Sequence, residues 1–192
     1  QLTPSWEATG SNVTGVSNAL DLNRQLAVMR QILPQAKRVG VVYNPGEANS
    51  ASVIQQLRVL LPQQGMSLVE AAAPRSVDVG TAARSLVGKV DLFYTNNDNG
   101  VMSAYESIAK VANDARIPLL SADTDSVKRG AVAAYGIDYH ALGLQTGAMV
   151  LRILRGERPG DIKPERGAQL RLFVNTKAAE RQGVQLPSDM LQ

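Results

Sequence analysis

Short apolar runs alternate with amphipathic stretches along most of the chain, and this alternation constrains the fold more than any other feature. The runs have the length and the β-branched or aromatic content of strands. They occupy residues 39–43, 67–73, 90–95, 117–121, 131–135 and 170–174. Helical patterns cover residues 21–33, 50–61, 76–87, 101–115 and 142–154, with a short one that runs to residue 128 after the polar loop 122–126 and another near 178–180. This order predicts an α/β fold with a doubly wound, largely parallel sheet flanked by helices.

The segment RVGVVYNPGEANS at residues 38–50 shows how one of these units is built. Its apolar half predicts a strand, and the Asn-Pro-Gly at 44–46 predicts a turn, because proline fixes φ and glycine tolerates positive φ. Asn49 and Ser50 are both good N-caps for the helix that follows. The polar side chains of this loop therefore follow the carboxyl end of a buried strand, the edge at which open α/β sheets bind ligands.

Four of the predicted strands end in loops with polar or acidic side chains. Such residues also serve as turn formers and helix caps, but four loops that converge on one sheet edge favour a binding site. Carboxylates there suit an ammonium group, and the helix N-termini after Asn49 and Asn99 suit a carboxylate. The pattern thus predicts a small polar ligand with both charge signs. The candidate ligand-binding residues are Asn44, Glu47, Asn49, Ser50, Thr95, Asn97, Asp98, Asp123, Asp138 and Tyr139.

The composition excludes several kinds of site. The sequence has no cysteine, which excludes disulfides, thiol catalysis and zinc–thiolate centres. Its one histidine, His140, is predicted to lie at the surface or to cap a helix. The net charge is +3, but no basic run exceeds two residues, so we expect no nucleic-acid partner. We also expect no cofactor, no metal and no membrane span, since no Gly-rich phosphate loop and no long apolar run are present.

Asp123 and Asp125 raise the question of an enzyme, because paired carboxylates perform acid–base or metal chemistry. No nucleophile with a neighbouring base accompanies them, and the glycine and distal glutamate of an EF-hand loop are missing. We therefore expect a binding protein and not an enzyme.

The chain carries five motifs that occur together in one known family. They are GSNVTGVS at 10–17, RVGVVYNPGEANS at 38–50, DTDSVKRGA at 123–131, GIDY at 136–139 and LFVN at 172–175. With these motifs the chain resembles the solute-binding components of bacterial ABC importers that have the type I periplasmic-binding-protein fold. That family includes binders of tryptophan and other aromatic amino acids, and the resemblance covers nearly the whole chain.

The resemblance implies two α/β lobes with the ligand trapped between them. It implies a crossover or hinge segment at residues 1–17, the α/β ligand-binding second lobe at 18–132, a segment at 133–168 that crosses to the first lobe, and a return strand and C-terminal helix at 169–192. Family members carry a first-lobe half and a signal peptide before the part that matches GSNVTGVS. We therefore expect the sequence to be a processed or truncated form that lacks both.

Helix 142–154 is expected to present an apolar stripe, because the first lobe on which the family packs it is not part of this sequence. Exposed apolar stripes of this size associate with other surfaces. We expect the helix to pack on another copy of the chain or to fold back on its own chain.

The resemblance further implies a periplasmic or otherwise extracytoplasmic protein, free or lipid-anchored, that captures an amino acid and delivers it to an ABC permease. Binding would close the lobes without chemistry. The ligand carboxylate would meet hydroxyl and N–H groups near Ser50, and its ammonium would meet Asp123 or Asp98. An aromatic ligand would need a stacking partner, for which the candidates are Tyr43, Tyr94 and Tyr139.

Two alternatives stay open. The ligand-sensing domain of a transcription regulator shares the two-lobed fold, although no helix-turn-helix is visible at the start of the sequence. A small α/β hydrolase would show turnover that depends on Asp98 or Asp123.

Overall fold

The computed structural model describes residues 5–191, and the chain divides into two compact units. The first unit consists of the described residues up to Leu20 together with Ile137–Arg171. The second consists of Asp21–Gly136 together with the described residues from Leu172 onward. In this part of the chain, every α-helix except one lies in the second unit.

Residues 5–191 form eight strands in two sheets. The strands are β1 (Val16–Ser17), β2 (Arg38–Tyr43), β3 (Ser67–Ala72), β4 (Leu92–Thr95), β5 (Leu119–Ser121), β6 (Ala133–Ile137), β7 (Glu165–Arg166) and β8 (Leu170–Val174). Six of them form one sheet in the order β3-β2-β4-β5-β6-β8, and every neighbouring pair from β3 to β6 is parallel. The predicted α/β fold with a largely parallel sheet is confirmed.

The last strand of this sheet, β8, runs antiparallel to β6. The N–H of Asp138 donates to the carbonyl of Gln169 at 3.0 Å, and the N–H of Asn175 donates to the carbonyl of Val132 at 2.8 Å. Because the residue numbers of the two partners change in opposite directions, the strands run in opposite directions. An antiparallel edge strand on a parallel sheet is common in α/β folds.

The helices follow the predicted positions with three differences. They are α1 (Leu22–Ile32), α2 (Ala48–Gln63), α3 (Val79–Leu86), α4 (Asn99–Ser103), α5 (Tyr105–Ala115), α6 (Tyr139–Leu154) and α7 (Thr176–Gln182). The stretch predicted as one helix at 101–115 is two, because the backbone of Ala104 (φ −117°, ψ 30°) leaves the helical region. Helix α2 begins at Ala48, so neither Asn49 nor Ser50 is its N-cap. Helix α6 begins before residue 142, because Asp138 caps it.

Helices cover both faces of the large sheet. Side chains alternate along a strand, so the paired residues Phe93 and Leu119 point to one face and their neighbours Tyr94 and Leu120 to the other. The first pair belongs to the apolar cluster formed with α3 and α5. The second pair packs against α1, where Met29 joins it around a cavity of about 10 Å³ that can hold at most one water molecule. Each large apolar side chain buried in this way contributes about 1.5–3 kcal/mol.

The first unit combines a two-stranded parallel sheet with helix α6. The register of β1 and β7 pairs Val16 with Glu165. Met149 is the one buried side chain of α6, while Leu144, Leu151 and Leu154 are 65%, 51% and 76% exposed. The apolar stripe expected at 142–154 is present, and the expectation that its own chain covers it is wrong for these leucines. Within residues 5–191, no helix combines the length and the apolar content needed to cross a membrane.

Candidate ligand-binding site

The loops after β2, β4 and β5 lie side by side, because these three strands are neighbours and run in the same direction. Ends of parallel strands share one edge of the sheet. The second unit thus brings together eight of the ten candidate residues: Asn44, Glu47, Asn49, Ser50, Thr95, Asn97, Asp98 and Asp123. Asp138 and Tyr139 belong to the first unit.

Asp98 is fully buried and ties two of these loops together. It is the N-cap of α4, where its Oδ1 accepts the N–H of Val101 at 2.9 Å. Its Oδ2 accepts the N–H of Asn44 at 2.7 Å. Both carboxylate oxygens therefore bind main-chain groups, and the side chain has no exposed surface. The structure gives Asp98 a structural role, and its contact with a ligand ammonium stays a prediction from the sequence.

Glu47 stands at the N-cap position of α2 but makes no cap for that helix. Its Oε2 instead accepts the N–H and the Nδ2 of Asn99 at 2.9 and 2.8 Å, and its Oε1 accepts the N–H of Gly100 at 3.0 Å. Partial burial acts to raise the pKa of the Glu47 carboxyl, but these donated hydrogen bonds outweigh it and lower the pKa below its ordinary value.

The two helix N-termini at this edge therefore differ. At α4, Glu47 and Asp98 accept the N–H groups of Asn99, Gly100 and Val101, so this N-terminus is already occupied by carboxylates. At α2, no acceptor within residues 5–191 takes the N–H of Ala48. The first N–H groups of a helix carry partial positive charge and attract anions. Of the two N-termini predicted to suit a carboxylate, the one of α2 stays open to it.

Ser50 and Asn49 attach the start of α2 to the loop after β4. The Oγ of Ser50 accepts the Nδ2 of Asn96 at 3.0 Å, and both side chains are buried. The Nδ2 of Asn49 donates to the carbonyl of Asn97 at 2.9 Å. The hydroxyl of Ser50 thus holds the start of α2 to the loop after β4. Its contact with a ligand carboxylate stays a prediction from the sequence. Sequence reasoning missed Asn96, whose only signal is its place directly after the buried end of β4.

Asn97 presents an unusual buried atom at the same edge. Its side-chain Oδ1 is buried, and no donor in the described part of the chain lies within hydrogen-bonding distance of it. The main chain of the residue is held by Asn49, as above. Buried acceptors without a partner are rare in folded proteins. Among the eight clustered candidates, Asn97 is therefore the one with an unused buried acceptor.

The third loop is organised around Ser121. The Oγ of Ser121 accepts the Oγ1 of Thr95 at 2.9 Å and the N–H of Asp123 at 3.1 Å. The Oδ2 of Asp123 accepts the Oγ of Ser126 at 2.9 Å. Thr95 is fully buried, whereas Asp123 is only half-buried. Asp125 is exposed, and its Oδ1 lies 3.8 Å from the Nζ of Lys128.

In the first unit, Asp138 is a helix cap and Tyr139 begins the helix. The Oδ1 of Asp138 accepts the N–H of Ala141 at 3.1 Å, and its Oδ2 lies 3.2 Å from the Nε of Arg171. The hydrogen bond from Ala141, helped by Arg171, lowers the pKa of the Asp138 carboxyl against a smaller effect of burial. Tyr139 is 41% exposed, and His140 is exposed in the first turn of α6, as predicted.

The other two tyrosines considered for stacking are engaged elsewhere. The hydroxyl of Tyr43 donates to Oε2 of Glu70 at 3.1 Å. Tyr94 is buried under α1, where its hydroxyl donates to Gln25 and burial raises its pKa. Tyr94 has almost no exposed surface, whereas Tyr43 is half-buried at the end of β2. Within residues 5–191, no group of three or more His, Asp or Glu side chains could hold a metal ion.

Comparisons with known proteins identify the family to which the chain belongs. The family model described as ABC transporter substrate binding protein matches residues 1–192. A tyrosine-binding protein of Clostridioides difficile is 34% identical over 174 residues, which are 91% of this chain and 50% of that protein. The chain thus spans about half the length of this curated relative.

Two solved structures are similar over nearly the whole chain. A conserved domain protein from Vibrio cholerae superposes with a TM-score of 0.93 and 39% identity, covering 99% of this chain and 64% of that one. The ABC domain from Streptococcus pneumoniae in complex with L-Trp superposes with a TM-score of 0.89 and 25% identity, covering 99% and 66%. On the match of the family model to the full sequence, the chain belongs to the ABC transporter substrate-binding protein family.

Proposed function

We propose that this chain forms the amino-acid-binding part of a solute-binding protein that supplies an ABC permease in the membrane. The observation that carries the proposal is the buried Oδ1 of Asn97, an acceptor without a donor among the described residues. Leaving such an atom unsatisfied costs about 1–3 kcal/mol, so a rotation of the Asn97 side chain that brings Oδ1 to an N–H group of a ligand at this edge would be favourable. The ammonium group of an amino acid is such a donor.

The open N-terminus of α2 supports a place for the other charge of an amino acid. A carboxylate beside the N–H of Ala48 would be favoured by the helix dipole, typically by about 0.3–1 kcal/mol. Asn49, the next residue of α2, donates a hydrogen bond to the main chain of Asn97. The proposed carboxylate and ammonium positions are therefore neighbours, as a zwitterion requires.

Asp123 supports a second contact with the ammonium group. It is half-buried, and Asp98 and Glu47, the other two carboxylates of the cluster, already accept main-chain N–H groups. An ion pair at a partly desolvated site is stronger than one at the surface. For Asp138 and Tyr139, ligand contact stays a prediction from the sequence.

We propose an aromatic amino acid as the ligand. The relatives named for tyrosine and for L-Trp support this class, since the chain is 34% and 25% identical to them. Of the three predicted stacking residues, Tyr139 is the most exposed, at 41%. We further propose that the protein works outside the cytoplasm, free or lipid-anchored, and that it releases its ligand unchanged.

We also propose the predicted division of the family fold for this chain. Residues 1–17 would act as a hinge, 18–132 as the ligand-binding lobe, 133–168 as the segment that crosses to a first lobe, and 169–192 as the return strand and helix. Ligand binding would then close the two lobes of the longer protein. Small-angle scattering of that protein with and without ligand would show a smaller radius of gyration on binding, and an unchanged radius would contradict closure.

Isothermal titration calorimetry tests the ligand with charge-deleted analogues. We expect L-tryptophan or L-tyrosine to bind. Tryptamine, which lacks the carboxylate, and indole-3-propionate, which lacks the ammonium, should each bind at least about tenfold more weakly. The variant Asp123→Asn should lose about tenfold in affinity, whereas the matched control Asp125→Asn should lose none. Equal binding of the analogues, or equal losses in the two variants, would contradict the proposal.

For the 192-residue chain on its own, we propose self-association through α6. Its exposed leucines at 144, 151 and 154 support an apolar contact with a second copy. Sedimentation velocity should show a dimer that the double change Leu151→Gln and Leu154→Gln abolishes. The control Val77→Gln removes a side chain that is 77% exposed in the second unit and should leave the dimer intact. A monomer at all concentrations would overturn this proposal.

A further inference from the structure

A groove of about 490 Å³ lies between α3 and α5 in the second unit. None of the ten candidate ligand-binding residues lines it, so it is separate from the strand-end site. Its volume falls within the range of pockets that hold small organic molecules. The groove is therefore a candidate for a second ligand site.

An arginine without an acidic partner lies in this groove. Nη2 of Arg84 donates to Oγ1 of Thr81 at 3.0 Å, and no carboxylate within residues 5–191 lies within 4 Å of its nitrogens. Lys110, the other cation of the lining, pairs with Asp114 at 2.7 Å. The lining thus carries one positive charge that no acidic side chain balances.

The guanidinium of Arg84 lies close to Gly80. A methyl group placed on Gly80 would come to 3.4 Å from Nη1 of Arg84 and 3.4 Å from Cβ of Ser107. Both distances are ordinary van der Waals contacts, so the guanidinium lies close to Gly80 at the start of α3 and next to α5. Arg84 is exposed, and its guanidinium forms part of the wall of the groove.

Apolar side chains stand on both sides of this cation. Val77 precedes α3 and is 77% exposed, and Val87 follows α3 and is 42% exposed. Since α3 has eight residues, the two valines stand roughly 12–15 Å apart along it. Val111 of α5 contributes a buried apolar surface between them. A single unpaired cation beside these valines matches a ligand with one acid group on a hydrocarbon chain.

We propose that this groove binds an apolar monocarboxylate of medium chain length, with its carboxylate on Arg84 and its hydrocarbon along Val77, Val87 and Val111. The guanidinium offers two parallel N–H groups to a carboxylate, which a neutral head group cannot use equally. The site is independent of the amino-acid site proposed above, because the two share no residue.

Decanoate, below its micelle-forming concentration, is the probe that tests the site by methyl NMR of the valines. We expect saturable shifts at Val77, Val87 and Val111, and decanol should bind at least about tenfold more weakly. The variant Arg84→Gln should lose about tenfold in decanoate affinity. The matched control Arg75→Gln removes an arginine that pairs with Asp78 outside the groove and should keep wild-type affinity.

Gly80→Ala separates binding from folding. Alanine suits a helix better than glycine, so the melting temperature should stay the same or rise. The added methyl group makes only van der Waals contact with Arg84, so decanoate affinity should stay within about twofold of the wild type. Equal affinity of the wild type and Arg84→Gln for decanoate would overturn the proposal. An absence of valine shifts with decanoate would also overturn it. That holds even if an acidic amphipathic peptide shifts the same valines, because the groove would then bind peptides and not monocarboxylates.

Discussion

The carboxylate of Glu47 accepts the N–H of Asn99 at 2.9 Å, so the residue at the N-cap position of α2 caps α4, 52 residues further along the chain. This exchange has two effects. It joins the loops after β2 and β4, and it leaves the N-terminus of α2 without a side-chain cap. The same contact therefore stabilises the fold and keeps an anion-attracting group available at the sheet edge.

Replacing Glu47 should cost stability more than a typical surface change. Glu47→Ala removes the acceptor for the N–H groups of Asn99 and Gly100, and we expect it to lower the free energy of unfolding by about 1–2 kcal/mol. Glu47→Gln keeps one carbonyl acceptor and should lose about half as much. Urea denaturation measures both, and equal stability of Glu47→Ala and wild type would show that the cap contributes nothing.

Asp98 should be more costly to replace than any other aspartate of the cluster. Asp98→Ala leaves the N–H groups of Asn44 and Val101 without an acceptor in a buried place, which predicts a loss of about 2–4 kcal/mol. The exposed Asp125 offers a matched control, for which we expect a change within about 0.5 kcal/mol. Chemical denaturation of the two variants compares them. A loss in Asp98→Ala no larger than in Asp125→Ala would refute the structural role.

Gly40 in β2 should tolerate no larger side chain while Val90 is present. A methyl group on Gly40 would come to 2.9 Å from Cγ1 of Val90, so Gly40→Ala should destabilise the protein by about 1–3 kcal/mol. In a Val90→Ala background the added methyl group has room, and the same change should cost markedly less. A double-mutant cycle with thermal unfolding measures this coupling. Strict additivity would contradict the steric explanation.

Stability should decrease in acid partly through Glu106. The hydrogen bonds from Arg129 lower the pKa of the Glu106 carboxyl from 4.5 to about 2. A lowered folded-state pKa gives stability that is present above the unfolded pKa and is lost as the pH falls from about 4.5 to about 2. Because Glu106 is 69% exposed, the effect should be at most about 1 kcal/mol.

Glu106→Gln tests this dependence. Its free energy of unfolding, measured by urea at several pH values, should fall less steeply than that of the wild type between pH 4.5 and 2. Above pH 6 the difference in free energy of unfolding between the two proteins should be constant. The Glu106 carboxyl of the wild type is then ionised in both the folded and the unfolded state. Parallel curves across the acid range would exclude the Arg129 contact as the cause.

The sheet and the edge at which its polar loops cluster could be predicted from the sequence because they follow from short-range patterns. Apolar runs of strand length and alternating helices define a parallel sheet, and the turn at Asn44 marks where β2 ends. The roles of Glu47, Asp98 and Asn96 could not be predicted, because their partners lie about 50 residues away in the chain. Asn, Asp, Ser and Glu all suit a cap, and only the tertiary positions of the helices decide which N–H group each one accepts.

The bond between Asn49 and the carbonyl of Asn97 has a consequence for the speed and strength of binding. Loops that become ordered only in a complex reduce its affinity by the entropy they lose. Here the start of α2 and the loop after β4 are fastened to each other before any ligand arrives. A ligand at this edge would therefore meet a preorganised surface and lose little affinity to loop ordering.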